Sequence, residues 1–171
     1  MKPESAELVK NLEQSLEGLV KIYRLLLTVV RNEKDILIAS QLDELAQNNK
    51  TKEAALMKAR ESEEVRRKIA FQLAESEYLD PETTRLLDFS RHFGGEVGER
   101  FRKLHSVLDL LMRRVREHNQ YNEGLVSSAL NTITGAMDNL RDNISGTKTY
   151  KKSGTVKNDP AESGQLVRKE V

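Results

Sequence analysis

From Val97 onward, apolar residues recur at Val97, Phe101, Leu104, Leu108, Leu111 and Val115, in alternating steps of four and three. Those steps set one row of side chains along a single helical face and predict a helix packed lengthwise on other helices. The row passes through two polar residues, His118 and Asn122, and reaches Leu125 and Ala129. A second row opens beside it at Val126, Leu130, Ile133, Met137, Leu140 and Ile144. Between Asn119 and Asn139 only Glu123 and Asp138 are charged, so this half of the helix is apolar over more than one seam. A face of that width needs burial against something. The pattern leaves open whether its cover comes from this chain or from another protein.

Two further long helices precede it. The first is predicted from near Pro3–Ser5 to Asn48, with a seam of Leu12, Leu16, Leu19, Tyr23, Leu26, Val30, Glu33, Leu37, Leu42 and Leu45. Asn48 and Asn49 read as its turn, because Asn favours local side-chain bonds over helix continuation. The second is predicted from Thr51 to Ser76, with a weak seam of Ala55, Ala59, Ser62, Arg66, Ile69 and Leu73. Asp80-Pro81-Glu82 reads as the start of a short helix ending near Phe93: an N-cap, a proline at the first helical position and an acid at the positive dipole end. Gly94-Gly95 ends or hinges that helix, and the long helix restarts near Glu96. Polar residues interrupt both major seams about midway. Glu33 on the first helix is therefore expected level with His118, Asn119 and Asn122 on the last, near Arg66 or Arg67, as one structural polar layer.

The predicted fold is all-α: an antiparallel bundle of three long helices plus one short helix. Residues 1–145 form the helical domain and residues 146–171 a flexible, disordered tail. The tail reading rests on an absence of periodicity after Gly146, a good C-terminal cap, and on little to bury. Composition narrows the function classes. With no cysteine among 171 residues there is neither a disulfide framework nor a thiolate metal site. The most apolar run, Leu19–Val30, contains Lys21 and Arg24 and is too short to span a bilayer, and Lys-Pro-Glu-Ser after Met1 is no apolar signal core. A soluble protein with no membrane insertion is expected. A net charge of +1 argues against coating nucleic acid, and the basic clusters Arg66-Arg67-Lys68 and Arg113-Arg114-Arg116 lack interleaved aromatics for base stacking.

Catalytic chemistry finds no anchor. His92, His105 and His118 are thirteen residues apart, which is not a whole number of helical turns, so they do not line one face. No helical metal motif surrounds them, Gly94-Gly95 lacks the lysine of a phosphate loop, and His105 and Ser106 are adjacent and do not face each other on a helix. No enzyme, cofactor or metal is expected.

Three stretches together resemble the FlgN-type flagellar export chaperones. The first helix reads Leu19-x-x-Ile22-Tyr23-Arg24-Leu25-Leu26-Leu27, then Glu33-Lys34, Leu37 and Leu42-Asp43-x-Leu45. The second carries Lys52-Glu53 and Glu64-x-Arg66-Arg67. The long helix carries Asn119-x-x-Asn122-x-x-Leu125-Val126-x-x-Ala129-Leu130, followed by Tyr150 and Gly154. The resemblance implies a cytoplasmic type III export chaperone that binds the C-terminal helical segment of hook-associated proteins, prevents their premature assembly and delivers them to the export gate. On that reading Leu125, Val126, Ala129, Leu130, Ile133, Met137, Leu140 and Ile144 form the client face. Tyr150 engages the cytoplasmic domain of the gate, and the export ATPase complex is a further candidate partner. Two alternatives stay open: a structural homo-oligomeric coiled coil closed by the same double row, or a regulatory adaptor that sequesters a partner protein.

Overall fold

The computed structural model describes residues 3–145, which form four helices: α1 Pro3–Ala39, α2 Leu42–Ser76, α3 Leu86–Phe93 and α4 Gly95–Ser145. No strand occurs among the described residues. The chain divides into two units, Met1–Val126 and Ser127–Val171.

The first unit is a three-helix bundle with α1 at its centre. Val9, Leu12, Leu16, Leu19, Leu26 and Val30 form the buried seam of α1, and Val20, Ile22 and Val29 widen it so that one helix serves two neighbours. Each fully buried leucine contributes roughly 1.5–3 kcal/mol relative to exposure. Opposite them α2 offers mostly small residues, Ala55, Ala59 and Ala74 with Leu73, and α4 offers Phe101, Leu108, Leu111 and Val115. The core falls into two stretches. The larger gathers Leu12, Leu16 and Leu19 with Leu73, Phe89, Phe101 and Leu108, and the other gathers Ile22, Leu26 and Val30 with Ala55, Ala59 and Val115.

Polar contacts fix the directions. Ser5 lies against Ser76 (Oγ–Oγ 3.2 Å), and Asn48 Nδ2 donates to the Val29 carbonyl (3.3 Å), so α1 and α2 are antiparallel. Arg100 Nε donates to Glu13 Oε1 at 2.7 Å and Asn122 Nδ2 to the Val30 carbonyl at 2.8 Å, so α1 and α4 run parallel.

Three boundaries differ from the sequence expectation. The first turn falls at Ser40–Gln41, not at Asn48–Asn49. Ser40 adopts φ +56°, and the Gln41 N–H donates to the Ile36 carbonyl (3.2 Å), a left-handed closure that ends α1 without a glycine. Asn48 and Asn49 lie inside α2, where Asn48 ties the two helices together instead of separating them. The second difference is that Asp80 nucleates only a turn. Its carboxylate accepts from the Glu82 N–H (3.0 Å) and from the Thr83 hydroxyl (2.9 Å), and α3 begins later, where Asp88 Oδ2 accepts from the Arg85 N–H (2.9 Å). The side chain of Asp80 satisfies a local turn in place of a helix end.

The third boundary is a shift of one residue: α4 starts at Gly95. Gly94 (φ +56°) and Gly95 (φ +48°) turn the chain from α3 into α4. One turn on, a Cβ at Gly98 would collide with the Ser90 backbone carbonyl, so this glycine is required by close approach. That approach stacks Phe89, Phe93 and Phe101, with ring centroids 6.3–6.5 Å apart, at the end of the bundle.

Candidate functional site

Two features of the described residues invite a functional reading, a polar layer across the bundle and an apolar row along α4. The layer sits where α1, α2 and α4 meet. Glu33 Oε2 accepts from Lys52 Nζ at 2.7 Å and from Asn122 Nδ2 at 3.1 Å. Asn122 is buried and also donates to the Val30 carbonyl, whereas its Oδ1 and that of Asn119 are buried acceptors with no partner among the described residues. His118 Nε2 accepts from Arg31 Nε at 3.4 Å, and Lys34 Nζ lies 5.1 Å from the centre of the Tyr121 ring.

Glu33, His118, Asn119 and Asn122 thus share one region, and the cation paired with Glu33 is Lys52. Arg66 and Arg67 are not part of it. Arg66 makes a two-pronged contact to Glu63 on its own helix, at 2.6 and 2.8 Å, and Arg67 is exposed. The earlier turn explains the exchange: it sets Lys52 opposite Glu33 and carries Arg66 fourteen residues further, about 21 Å along α2. A sequence signal for that turn exists, because Asp43 and Glu44 give α2 the acidic first turn that favours a helix start. The layer lies within the packed bundle, where Glu33 and Asn122 are largely withdrawn from solvent.

The apolar row is different. Leu125 is half-buried, but Val126, Ala129, Leu130, Ile133, Met137, Leu140 and Ile144 are all exposed, from 42% at Val126 to 75% at Ile144. Every described side chain from Ser127 to Ile144 is exposed. Met137, Leu140, Arg141 and Ile144 line one shallow apolar hollow of about 370 Å³. Gly124 and Gly135 lie within the single helix α4 with open space around them. Tyr150, the expected gate-binding residue, lies outside the described residues, as does the expected tail.

Other polar groups lie elsewhere in the bundle. A cleft of about 310 Å³ has Leu12, Leu86, Phe89 and Leu108 on its walls, with Arg66, Thr84, Arg85, His105 and Asp109 as its polar lining. At the α2 end, the Ser5 hydroxyl and His92 (Nε2–Oε2 3.0 Å) hold the Glu77 carboxyl below its ordinary range. Burial, with Glu63 nearby, pushes the Tyr23 phenol up. No group of three or more metal-ligating side chains and no helix long and apolar enough to cross a membrane occurs among the described residues.

A family model described as FlgN protein matches residues 1–158. No curated protein and no solved structure matches the chain.

Proposed function

The chain belongs to the FlgN family of flagellar export chaperones, and from that premise we infer that the exposed row on α4 is where it binds its clients. The clients of this reading are hook-associated proteins, held by their C-terminal helical segments in the cytoplasm until export. One observation carries it: six large apolar residues at helical spacing, Val126 to Ile144, stand in solvent, whereas Phe101, Leu108, Leu111 and Val115 earlier on the same helix are buried. Contiguous exposed apolar surface marks an interaction site, and anchors at i, i+4 and i+7 suit an amphipathic helix laid along the face. Ala129 sits among these anchors and lets the partner backbone come close. Binding there hides the segment a client needs for assembly, which is the work of a chaperone and requires no catalytic group.

The test is Leu130→Asp. Leu130 is 58% exposed, so the variant should keep its helicity and its thermal midpoint while its affinity for a purified hook-associated protein falls at least tenfold. Unchanged affinity in a folded variant would overturn the assignment.

Delivery needs a second contact, and Tyr150 is the proposed one. A tyrosine combines a large apolar ring with a hydroxyl, and Lys148, Lys151 and Lys152 around it favour an acidic surface such as the gate's cytoplasmic domain could offer. Tyr150→Ala should leave client affinity intact and weaken binding to the gate domain. Normal gate binding, or loss of the client instead, would remove Tyr150 from the delivery step. The export ATPase complex remains a further proposed partner.

A further inference from the structure

The cleft bordered by α2, α4 and the start of α3 has a floor made of core. Leu12 and Phe89 are fully buried and Leu108 nearly so, yet all three border its open space of about 310 Å³. Ala70 on the α2 side is too small to fill it, and Met112 carries the apolar lining outward to a lip where it is 39% exposed. Water in that space faces hydrocarbon from Leu12, Leu86, Phe89, Leu108 and Met112. An apolar side chain placed there would remove that surface from water.

The charges around the cleft are not balanced. Arg66 grips Glu63 at 2.6 and 2.8 Å, Arg91 holds Asp88 at 3.2 Å, and Arg113 holds Asp109 at 2.8 Å. The last pair engages the one carboxylate among the lining residues. Arg85 lines the cleft and is exposed, and it has no ion pair among the described residues. The ring of His105, half-buried on the α4 side, has no hydrogen-bond partner among them either. A guanidinium presents a planar fork of N–H donors that fits a carboxylate, and an imidazole donates from its ring whether neutral or charged. Unpartnered donors beside hydrocarbon select an anion joined to an apolar group.

Size narrows the ligand further. About 310 Å³ is the low end for ligand sites, room for a side chain or two of a longer chain. We propose that this cleft binds a short peptide segment of a partner protein in which a large apolar side chain adjoins an acidic one. The apolar side chain fills the space over Leu12, Phe89 and Leu108, and the carboxylate meets Arg85 and His105. An ion pair at an exposed rim contributes little, so the contact is weak and reversible by itself. None of these residues belongs to the α4 row, so the cleft can be occupied whether or not clients bind that row.

Capped tetrapeptides titrated into the isotope-labelled full chain test this by amide NMR. Acetyl-Glu-Leu-Leu-Asp-amide should shift the signals of residues 84–89 and 105–112, with a dissociation constant on the order of a millimolar. Its counterpart with Gln and Asn in place of the acids should bind about tenfold more weakly, the loss expected for one charge-assisted hydrogen bond. A version with Ser in place of both leucines should not bind measurably. Arg85→Glu should abolish the shifts with circular dichroism unchanged. Lys68→Glu, the same change of charge at an exposed α2 residue off the cleft, should leave them as they are. Shifts confined to residues 126–144, equal affinity for the amide counterpart, or undiminished binding by Arg85→Glu would each overturn the proposal. So would the absence of any shift at about 10 mM peptide.

Discussion

At the scale of single residues, the polar layer separates partners that matter from partners that merely touch. Glu33 serves two donors, Lys52 and the buried amide of Asn122, and its side chain retains only 12% of its exposure. Replacing it by alanine leaves a buried amide hydrogen and an ammonium without their acceptor. Glu33→Ala should therefore cost about 1–3 kcal/mol in urea unfolding. Arg66→Ala, which breaks a contact within one helix, should cost less than about 1 kcal/mol. Sequence periodicity places Glu33, His118 and Asn122 at seam positions, and the structure brings them to one region. It could not name Lys52, because that pairing depends on where a turn falls and not on any face of α2. Glu77 offers a second residue-scale test. Its carboxyl is held low by Ser5 and His92, so the folded chain binds that proton less readily than the unfolded chain. The stability it supplies is then present above the unfolded glutamate value of about 4.3 and is lost as pH falls through its lower folded value. Glu77→Gln should flatten that part of the acid-unfolding curve and leave the neutral region of its shape unchanged.

At the scale of elements, the buried seams of α1 and of α4 up to Val115 were legible, because apolar side chains at steps of three and four have one low-energy solution on a helix. The ends were not. Asp80-Pro81-Glu82 has every residue of a helix start, yet the Asp80 carboxylate is used up in a turn with Glu82 and Thr83. Ser40 has no capping signature, yet it takes the left-handed conformation that closes α1. Both outcomes depend on where the chain must reverse for its seams to meet, which is a property of the packed bundle. The glycines of α4 divide on the same ground. Gly98 is pressed against the Ser90 carbonyl, so Gly98→Ala should force α3 off α4 and lower stability by about 1–3 kcal/mol. Gly124 and Gly135 have open space around them, and alanine at either should raise stability by up to about 1 kcal/mol through helix propensity alone. Thermal unfolding of the three variants side by side would show the opposite signs.

At the scale of the whole molecule, composition and pattern told that the chain is helical and that α4 carries more apolar surface than one seam uses. They could not tell whether that surface is core. Pattern reports which residues share a face, whereas burial depends on which other faces reach it. The answer lies in the difference between Phe101 or Leu108, buried on α4, and Leu130 or Ile133, exposed on the same helix. This contrast has a dynamic consequence. Residues 127–145 are the described part of the second unit, nineteen residues of one helix with every described side chain from Ser127 to Ile144 in solvent. Most of a helix's stability comes from packing one face against its neighbours, and this stretch has no packed face. At high dilution, its backbone amides should therefore exchange with solvent orders of magnitude faster than those of Phe101–Val115, which open only with the bundle. A bound client helix should slow exchange from 127 to 145 and change the bundle amides little, because it covers the row without touching the buried seams. Equal protection of both stretches in the dilute chain without client would mean that the row is already covered from within, and a client would have no face to bind.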